Sequence, residues 1–545
     1  MYKRQVQNRA SAIVMNVNTG AVLGMATAPQ FDPNDPYNIT EPKLQAILDN
    51  AGTALTEDDI SVLQSRLGQD AVADIIADGV VDPNGTKSID EEGNEIDVPS
   101  EKSQLQGMIR EAEWKNKAVT ELYYPGSVFK LMTAAAALDS GLMGADQQFY
   151  CGGDLTVFPN TEWEHSYRCA EGNAHGWLDM AGALNHSCNL YFIQVAEKMS
   201  AEFFYNYYQA FGLTQTTGID LPYEAKGISK TQQEMEQVET DLYSTAFGQS
   251  QKLTLIQMAA AVASTVNGGY LMTPYVVAKE LDENGNVVRE TEPNVRRQVI
   301  SKQTANIVAG MMEQVVTSGT GKNAYVAGYR VAGKTGTSQK LNNVGHYVAS
   351  FGCFAPADDP EIAVLIIVDD PVGQINGGQI CTPVAAQVVE KSLEYMGVER
   401  EYTDSEMKLL DTNAPNLVGS TVEDAKALLE QEGFSVKTVG KGDKVISQMP
   451  SYNQTMPQDG IIVLYTEQDA DRLTATVPDF RGMTMSQVNK LAHSSGLNIR
   501  ISGNALNAGE LVSYDQSIEA GAETEYGRTV TVYFKSNTGV NDYAD

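Results

Sequence analysis

Residues 10–17 are rich in apolar side chains, Asn18-Thr19-Gly20 breaks the run, and residues 21–27 are apolar again. Two short apolar runs across a Gly-containing turn predict a β-hairpin. Residues 29–36, with Pro29, Pro33 and Pro36, predict a loop. From 41 to 115 the pattern changes, with helical stretches at 44–48, 58–67 and 71–76 between acidic, Gly- and Asn-containing turns. This predicts an insertion, read as a surface embellishment, with a partner-binding lobe as the alternative. Residues 117–290 read as mostly helical: a helix at 131–138, a polar loop at 150–177, a helix after Asn189 and another at 255–266. Strands follow at 329–337, 347–354 and 362–368, then a helix at 383–395. Strands at both ends with helices between them predict one α+β domain whose sheet is closed by distant segments.

The tail repeats. Residues 400–412 are charged and predict a linker. Beyond them Pro415 and Pro478 are 63 positions apart, as are Gly419 and Gly482, and Gly433 and Gly496. Each unit reads Pro-x-x-x-Gly, a short amphipathic helix (422–430, 485–493), a Gly and two strands, the last at 463–465 and 530–534. The offset grows to 68 between Gln448 and Gln516, which requires a loop insertion in the second unit. Two small modules follow, at 413–468 and 474–538.

At 545 residues the chain exceeds one ordinary domain. Its 38 basic against 70 acidic residues, a formal net charge of −32, argue against nucleic acid and against electrostatic binding to anionic lipid. No apolar run reaches the 18 residues or so that a membrane span needs. The start, Met1-Tyr2-Lys3-Arg4-Gln5, has no apolar signal region and runs almost directly into a strand. The expectation is that the natural protein continues upstream.

Three motifs stand in one order: Ser127-Val128-Phe129-Lys130, Ser187-Cys188-Asn189 and Lys334-Thr335-Gly336-Thr337. Each is weak alone. S-x-x-K is expected roughly twice by chance in such a chain, and Ser405-Glu406-Met407-Lys408 and Ser502-Gly503-Asn504 are spare matches lying after Lys334. K-T-G is rarer, about 0.1 expected per chain. Pro125-Gly126 before Ser127, and Gly141 after the next apolar run, supply helix-boundary signals.

The residue types suit acyl transfer. Ser127 and Lys130, at i and i+3, share a helix face. A serine needs a base to take its proton, and Lys130 serves only when neutral, so burial or a second cation, such as Lys334, must lower its pKa. The alternative for Ser127 is a helix N-cap. Ser187 can relay a proton between lysines, and the Asn189 amide can hold both Lys130 and a substrate carbonyl; the alternative is capping of the following helix. Gly336 on a strand leaves room for a substrate backbone, and Lys334, Thr335 and Thr337 can grip a carboxylate, against the alternative of an edge strand with a solvated lysine. No metal or other cofactor is needed for such chemistry.

On these motifs residues 9–399 resemble the transpeptidase domain of class B penicillin-binding proteins. Supporting stretches are Asn18-Thr19-Gly20, Phe31-Asp32-Pro33-Asn34, Asn116-Lys117-Ala118-Val119-Thr120, Gly218-Ile219-Asp220-Leu221-Pro222, Gly319-Thr320-Gly321 and Gly377-Gly378. The tail modules resemble PASTA domains, an arrangement similar to the division or sporulation enzymes of Gram-positive bacteria. The resemblance implies a penicillin-binding, serine β-lactamase-like fold, an antiparallel sheet flanked by helices. It implies attack by Ser127 on the D-alanyl-D-alanine end of a stem peptide, transfer to an amine of a neighbouring strand, and trapping by β-lactams. It also implies an oxyanion hole from the Ser127 and Thr337 N–H groups, a glycosyltransferase partner, and a place on the outer face of the bacterial cytoplasmic membrane, held by an anchor that this sequence lacks. Tyr124 stands where the family often has Glu, and Val128 where it often has Thr. Outside the cell, a disulfide between Cys151 and Cys169 could close the 150–177 loop. A zinc site using His165 and His175 is the lesser alternative, and Cys188, Cys353 and Cys381 read as buried thiols. Two other functions compete: a β-lactamase or β-lactam sensor, for which Glu202-x-x-x-Asn206 has a deacylating spacing, and a non-catalytic wall-binding protein.

Overall fold

The outer ends of the front domain meet in one sheet. Strands β1 (Val6–Asn16) and β2 (Val22–Ala28) come from the start of the chain, and β3 (Ala332–Gln339), β4 (Tyr347–Ala355) and β5 (Ile362–Pro371) from some three hundred residues later. They pair antiparallel in the order β3-β4-β5-β1-β2. β5 is buried along its whole length; residues 362–368 are an apolar run, and the buried Asp369 and Asp370 that follow pair with Arg9 and Lys340. β3 stands at an edge, with one side free of sheet partners. This computed structural model describes residues 6–89, 94–169, 172–341, 345–401, 406, 411–502 and 511–536.

The chain divides into two compact units, Met1–Val326 with Arg330–Val398, and Ala327–Tyr329 with Glu399–Asp545. In the first, the insertion holds α1 (Pro42–Asp49), α2 (Glu57–Leu67) and α3 (Glu101–Trp114) around its own core of Leu44, Leu48, Leu63, Val72, Leu105 and Ile109. Its two ends are tied together by the buried Glu113 carboxylate, which accepts from the backbone N–H groups of Thr40 and Glu41. The sequence expectation lacked α3 and gave 71–76 as helix, where only Gln69–Val72 is helical.

The domain also holds the longer helices α4 (Lys130–Asp139), α5 (Asn189–Ala210), α6 (Leu255–Ser264), α7 (Lys302–Thr317) and α8 (Thr382–Met396). All ten residues of α6 are buried, and Thr254 with Gln257 forms a capping box at its start. The segment expected as a polar loop at 150–177 is instead two ribbons, Phe149–Cys151 with Gly176–Leu178 and Asp154–Val157 with His165–Arg168. Residues 279–290, expected as part of a helical region, form the hairpin Lys279–Leu281 with Val287–Glu290.

The second unit holds the two repeats. The first packs α9 (Val422–Gln431) on a sheet of β6 (Ser435–Val439), β7 (Ser447–Met449) and β8 (Ile461–Tyr465), ordered β6-β8-β7. The second repeats this with α10 (Met485–Ser494), β9 (Asn498–Ser502), β10 (Leu511–Gln516) and β11 (Thr529–Ser536), ordered β9-β11-β10. Each also carries a two-stranded ribbon, Asp411–Asn413 with Thr455–Pro457 and Thr474–Thr476 with Glu523–Glu525, so each has three more strands than the two expected. The loop insertion expected between Gln448 and Gln516 falls at 503–510, outside the described residues, as does most of the expected 400–412 linker. The repeated glutamines make equivalent bonds. Gln448 Oε1 accepts from Leu417 N at 2.8 Å, and its Nε2 donates to Pro415 O and Pro450 O. Gln516 Oε1 accepts from Phe480 N at 2.8 Å, and its Nε2 donates to Pro478 O and Ile518 O. Gln448→Leu therefore strands three backbone groups. It should destabilise the first module by about 3 kcal/mol, read in calorimetry as a lower melting point for the tail with no change in Ser127 reactivity.

No helix among the described residues is long and apolar enough to cross a membrane.

Candidate active site

Ser127 lies in a tight 3-10 turn, Gly126–Phe129, that leads directly into α4. Gly126 makes the turn feasible with φ +56°, and its N–H donates to Gly248 O at 2.9 Å. Ser338 on β3 holds the other side through its hydroxyl, which donates to Tyr124 O at 2.8 Å. The nucleophile turn is thus fixed between the edge strand and the segment ending at Gly248. Lys130, the first residue of α4, is fully buried, whereas Ser127 and Asn189 keep partial exposure.

The second motif sits where a short helix (Met180–Asn185) gives way to α5. Ser187 occupies the left-handed region with φ +54°, an uncommon conformation for a serine, and aims both its carbonyl and its hydroxyl at Lys130. Around Lys130 Nζ stand Ser187 O and Asn189 Oδ1 at 2.7 Å, Ser127 Oγ at 2.9 Å and Ser187 Oγ at 3.2 Å. Ser187 O and Asn189 Oδ1 can only accept, so they engage two N–H groups. A neutral amine has two N–H groups and one lone pair. Both donors are spent on these oxygens, and the lone pair is left for the Ser127 hydroxyl proton. Burial brings that form within reach by pushing Lys130 down to about 8.

Lys334 lies on β3, fully buried, with its Nζ donating to Thr335 O at 3.1 Å. Burial, and then the charge of Lys130, pushes it well below the usual lysine range. Neither lysine forms an ion pair with a carboxylate among the described residues. Thr335 is also buried, its hydroxyl 2.8 Å from that of Thr320, while the half-buried Thr337 accepts from Gly377 N at 3.2 Å. Thr337 is therefore the open end of the motif. Gly336 serves the protein before any substrate: a Cβ there would overlap Ser350 Oγ and press on Val128 and Pro125 O. Gly336→Ala should slow acylation by about a hundredfold by forcing β3 off the nucleophile turn. Adding Ser350→Gly should recover part of that loss, as measured with a fluorescent penicillin.

Residues 10–390 match the penicillin binding protein transpeptidase domain, and residues 412–468 and 475–536 match the PASTA domain. The chain belongs to the penicillin-binding protein transpeptidase family. It is 36% identical over 370 residues to stage V sporulation protein D of Bacillus subtilis, covering 65% of this chain and 56% of that protein. It is 28% identical over 301 residues to a peptidoglycan D,D-transpeptidase FtsI homolog of Mesostigma viride, covering 51% and 50%. The chain thus spans about half the length of these curated relatives. Among solved structures, the D,D-transpeptidase domain of a peptidoglycan glycosyltransferase from Eggerthella lenta superposes with a TM-score of 0.54 at 25% identity, covering 72% of this chain and 79% of that one.

Within this transpeptidase domain the cysteines depart from expectation. Cys151 and Cys169 are free thiols, not a disulfide. His175 Nδ1 lies 3.4 Å from Cys151 Sγ and 3.5 Å from Cys169 Sγ, so an imidazole stands where a sulfur–sulfur bond would close. Cys188, expected as a buried thiol, is buried and places its Sγ 3.6 Å from that of Cys169. His165 takes no part; its ring stacks edge-on against Tyr167. Cys353 and Cys381 are buried apart from this group, and burial pushes the Cys381 thiol up to about 12. The four donors that could hold a metal ion are Cys151, Cys169, His175 and Cys188. Sequence reading named the two cysteines as a pair and missed the fourth donor, because Cys188 lay inside a motif already given another meaning.

Proposed function

We propose that the front domain is a serine D,D-transpeptidase that cross-links peptidoglycan stem peptides. The observation that carries this reading is the contact of a buried, carboxylate-free Lys130 with Ser127 Oγ at 2.9 Å. Lys130 takes the Ser127 proton as Oγ attacks the carbonyl of the penultimate D-alanine. The Ser127 and Thr337 N–H groups receive the oxyanion. The C–N bond to the terminal D-alanine breaks, and the leaving amine takes the proton back through Ser187. An amine from a neighbouring strand then attacks the ester and loses a proton to Lys130; the amide forms, and Ser127 recovers its hydrogen. The donor's terminal carboxylate docks at Thr337 and Thr335, with Lys334 behind. β-Lactams enter the same path and stop at the ester.

Two extensions follow from family membership: placement on the outer face of the cytoplasmic membrane, and work beside a glycosyltransferase that supplies the glycan strands. The β-lactamase reading is weaker. Glu202 and Asn206 are exposed, and they lie beyond Ser200, whose φ of +65° breaks α5 between them and the second motif. The inert wall-binding reading leaves the Lys130 contacts without a purpose.

The deciding experiment is a time course of intact mass after benzylpenicillin, together with D-alanine release from a D-Ala-D-Ala pentapeptide plus an acceptor amine. An adduct on Ser127 that lasts many minutes, with D-alanine release and amide product, is the expected result. Rapid loss of the adduct would point to a lactamase, and no adduct to an inert domain.

A further inference from the structure

Three cysteines and a histidine from separate parts of the chain converge beside the second motif. Cys151 ends one strand of a ribbon, His175 directly precedes the opposite strand, Cys169 follows the second ribbon, and Cys188 caps α5. Their donor atoms all lie within 4.8 Å of one another. The closest approaches are 3.4 Å and 3.5 Å for sulfur to nitrogen and 3.6 Å for sulfur to sulfur. A tetrahedral zinc with bonds of about 2.3 Å to sulfur and 2.0–2.1 Å to nitrogen has sulfur–sulfur edges of about 3.8 Å and sulfur–nitrogen edges of about 3.6 Å. A disulfide needs about 2.05 Å. The three closest spacings match the edges of a metal cage and are far longer than a disulfide bond. All three thiols are buried, Tyr191 N donates to Cys188 Sγ at 3.4 Å, and the N–H groups of Asn189 and Leu190 approach Cys169.

We propose that Cys151, Cys169, His175 and Cys188 form a closed, four-coordinate structural zinc site that positions the second motif. Cys188 lies between Ser187 and Asn189, so a ligand bond at its sulfur fixes the backbone on both sides. That backbone includes the left-handed Ser187, whose carbonyl takes one N–H of Lys130. The positioning part rests on the roles given above to Ser187 and Asn189; the zinc part does not. With four protein ligands no coordination position remains for water or substrate, so the ion takes no step in acyl transfer.

The test is metal analysis of the chain purified without chelator, with cobalt replacement as the spectroscopic check. One zinc per chain is expected, with thiolate-to-cobalt charge-transfer and tetrahedral d–d bands. Cys151→Ser and His175→Ala should each lose the metal. Removing zinc with a chelator should slow fluorescent-penicillin acylation on the order of ten- to a hundredfold, and zinc should restore it. No metal after refilling with zinc, or a Cys169–Cys188 disulfide in the peptide map of freshly isolated protein, would overturn the site. Bound zinc with unchanged acylation on its removal would overturn the positioning role.

Discussion

Ser127→Ala should end adduct formation with penicillin and D-alanine release from the donor peptide, a loss of at least about ten-thousandfold in rate. The fold should survive it. Ser127 is partly exposed, and its turn is held by groups other than its hydroxyl: Gly126 N on Gly248 O, and Ser338 Oγ on Tyr124 O. Melting should therefore move by no more than the effect of a surface substitution. The variant also leaves Lys130 bonded to Ser187 and Asn189, so the pocket stays assembled without its nucleophile. Intact mass after benzylpenicillin, beside a melting curve, checks both halves. A mass gain in the variant would move the nucleophile elsewhere and undo the proposed mechanism.

The parts of the site that were legible in the sequence are those in which the chemistry fixes local spacing. Ser127 and Lys130 must share a face, so their separation is readable, and Lys334 is carried by a motif of low chance frequency. What the sequence could not show is tertiary. Thr320 reaches Thr335, and Gly377 reaches Thr337, through packing of segments far apart in the chain. The donors Cys151, Cys169, His175 and Cys188 follow no compact ligand spacing, because two ribbons and a helix start bring them together. Those ribbons have strands of three or four residues, too short for alternation to stand out from a polar loop. Helix α7 shows the opposite failure. Val308, Met311, Met312 and Val315 mark a helical stripe behind a Ser301 cap, yet the expectation passed over it. The hairpin, the closing strands and the tail repeats were readable because period, turn residues and repeat length agreed with one another.

Lys130→Met should lower the acylation rate by about a thousandfold, the scale of a lost general base, and the chain should not become less stable. The reason lies in the sign of the pKa shift. Burial lowers the folded-state value from 10.5 to about 8, so the folded chain binds this proton less tightly than the unfolded chain does. That costs the fold on the order of 3 kcal/mol below pH 8, and the penalty fades as pH rises toward 10.5. Methionine removes it but forfeits the bonds to Ser187 O and Asn189 Oδ1, about 1 kcal/mol each. The net expectation is a gain of about 1 kcal/mol at pH 7 that shrinks above pH 8. The same shift sets the pH profile. Only neutral Lys130 can take the serine proton, so acylation by the unmodified chain should climb roughly tenfold from pH 7 to pH 9, while the small residual rate of the methionine variant stays flat. Stopped-flow acylation across that range, paired with urea unfolding at pH 7 and pH 9, measures both consequences. A profile that stays level through pH 8, or a variant that keeps its speed, would take the base role away from Lys130 and leave the proton without a carrier.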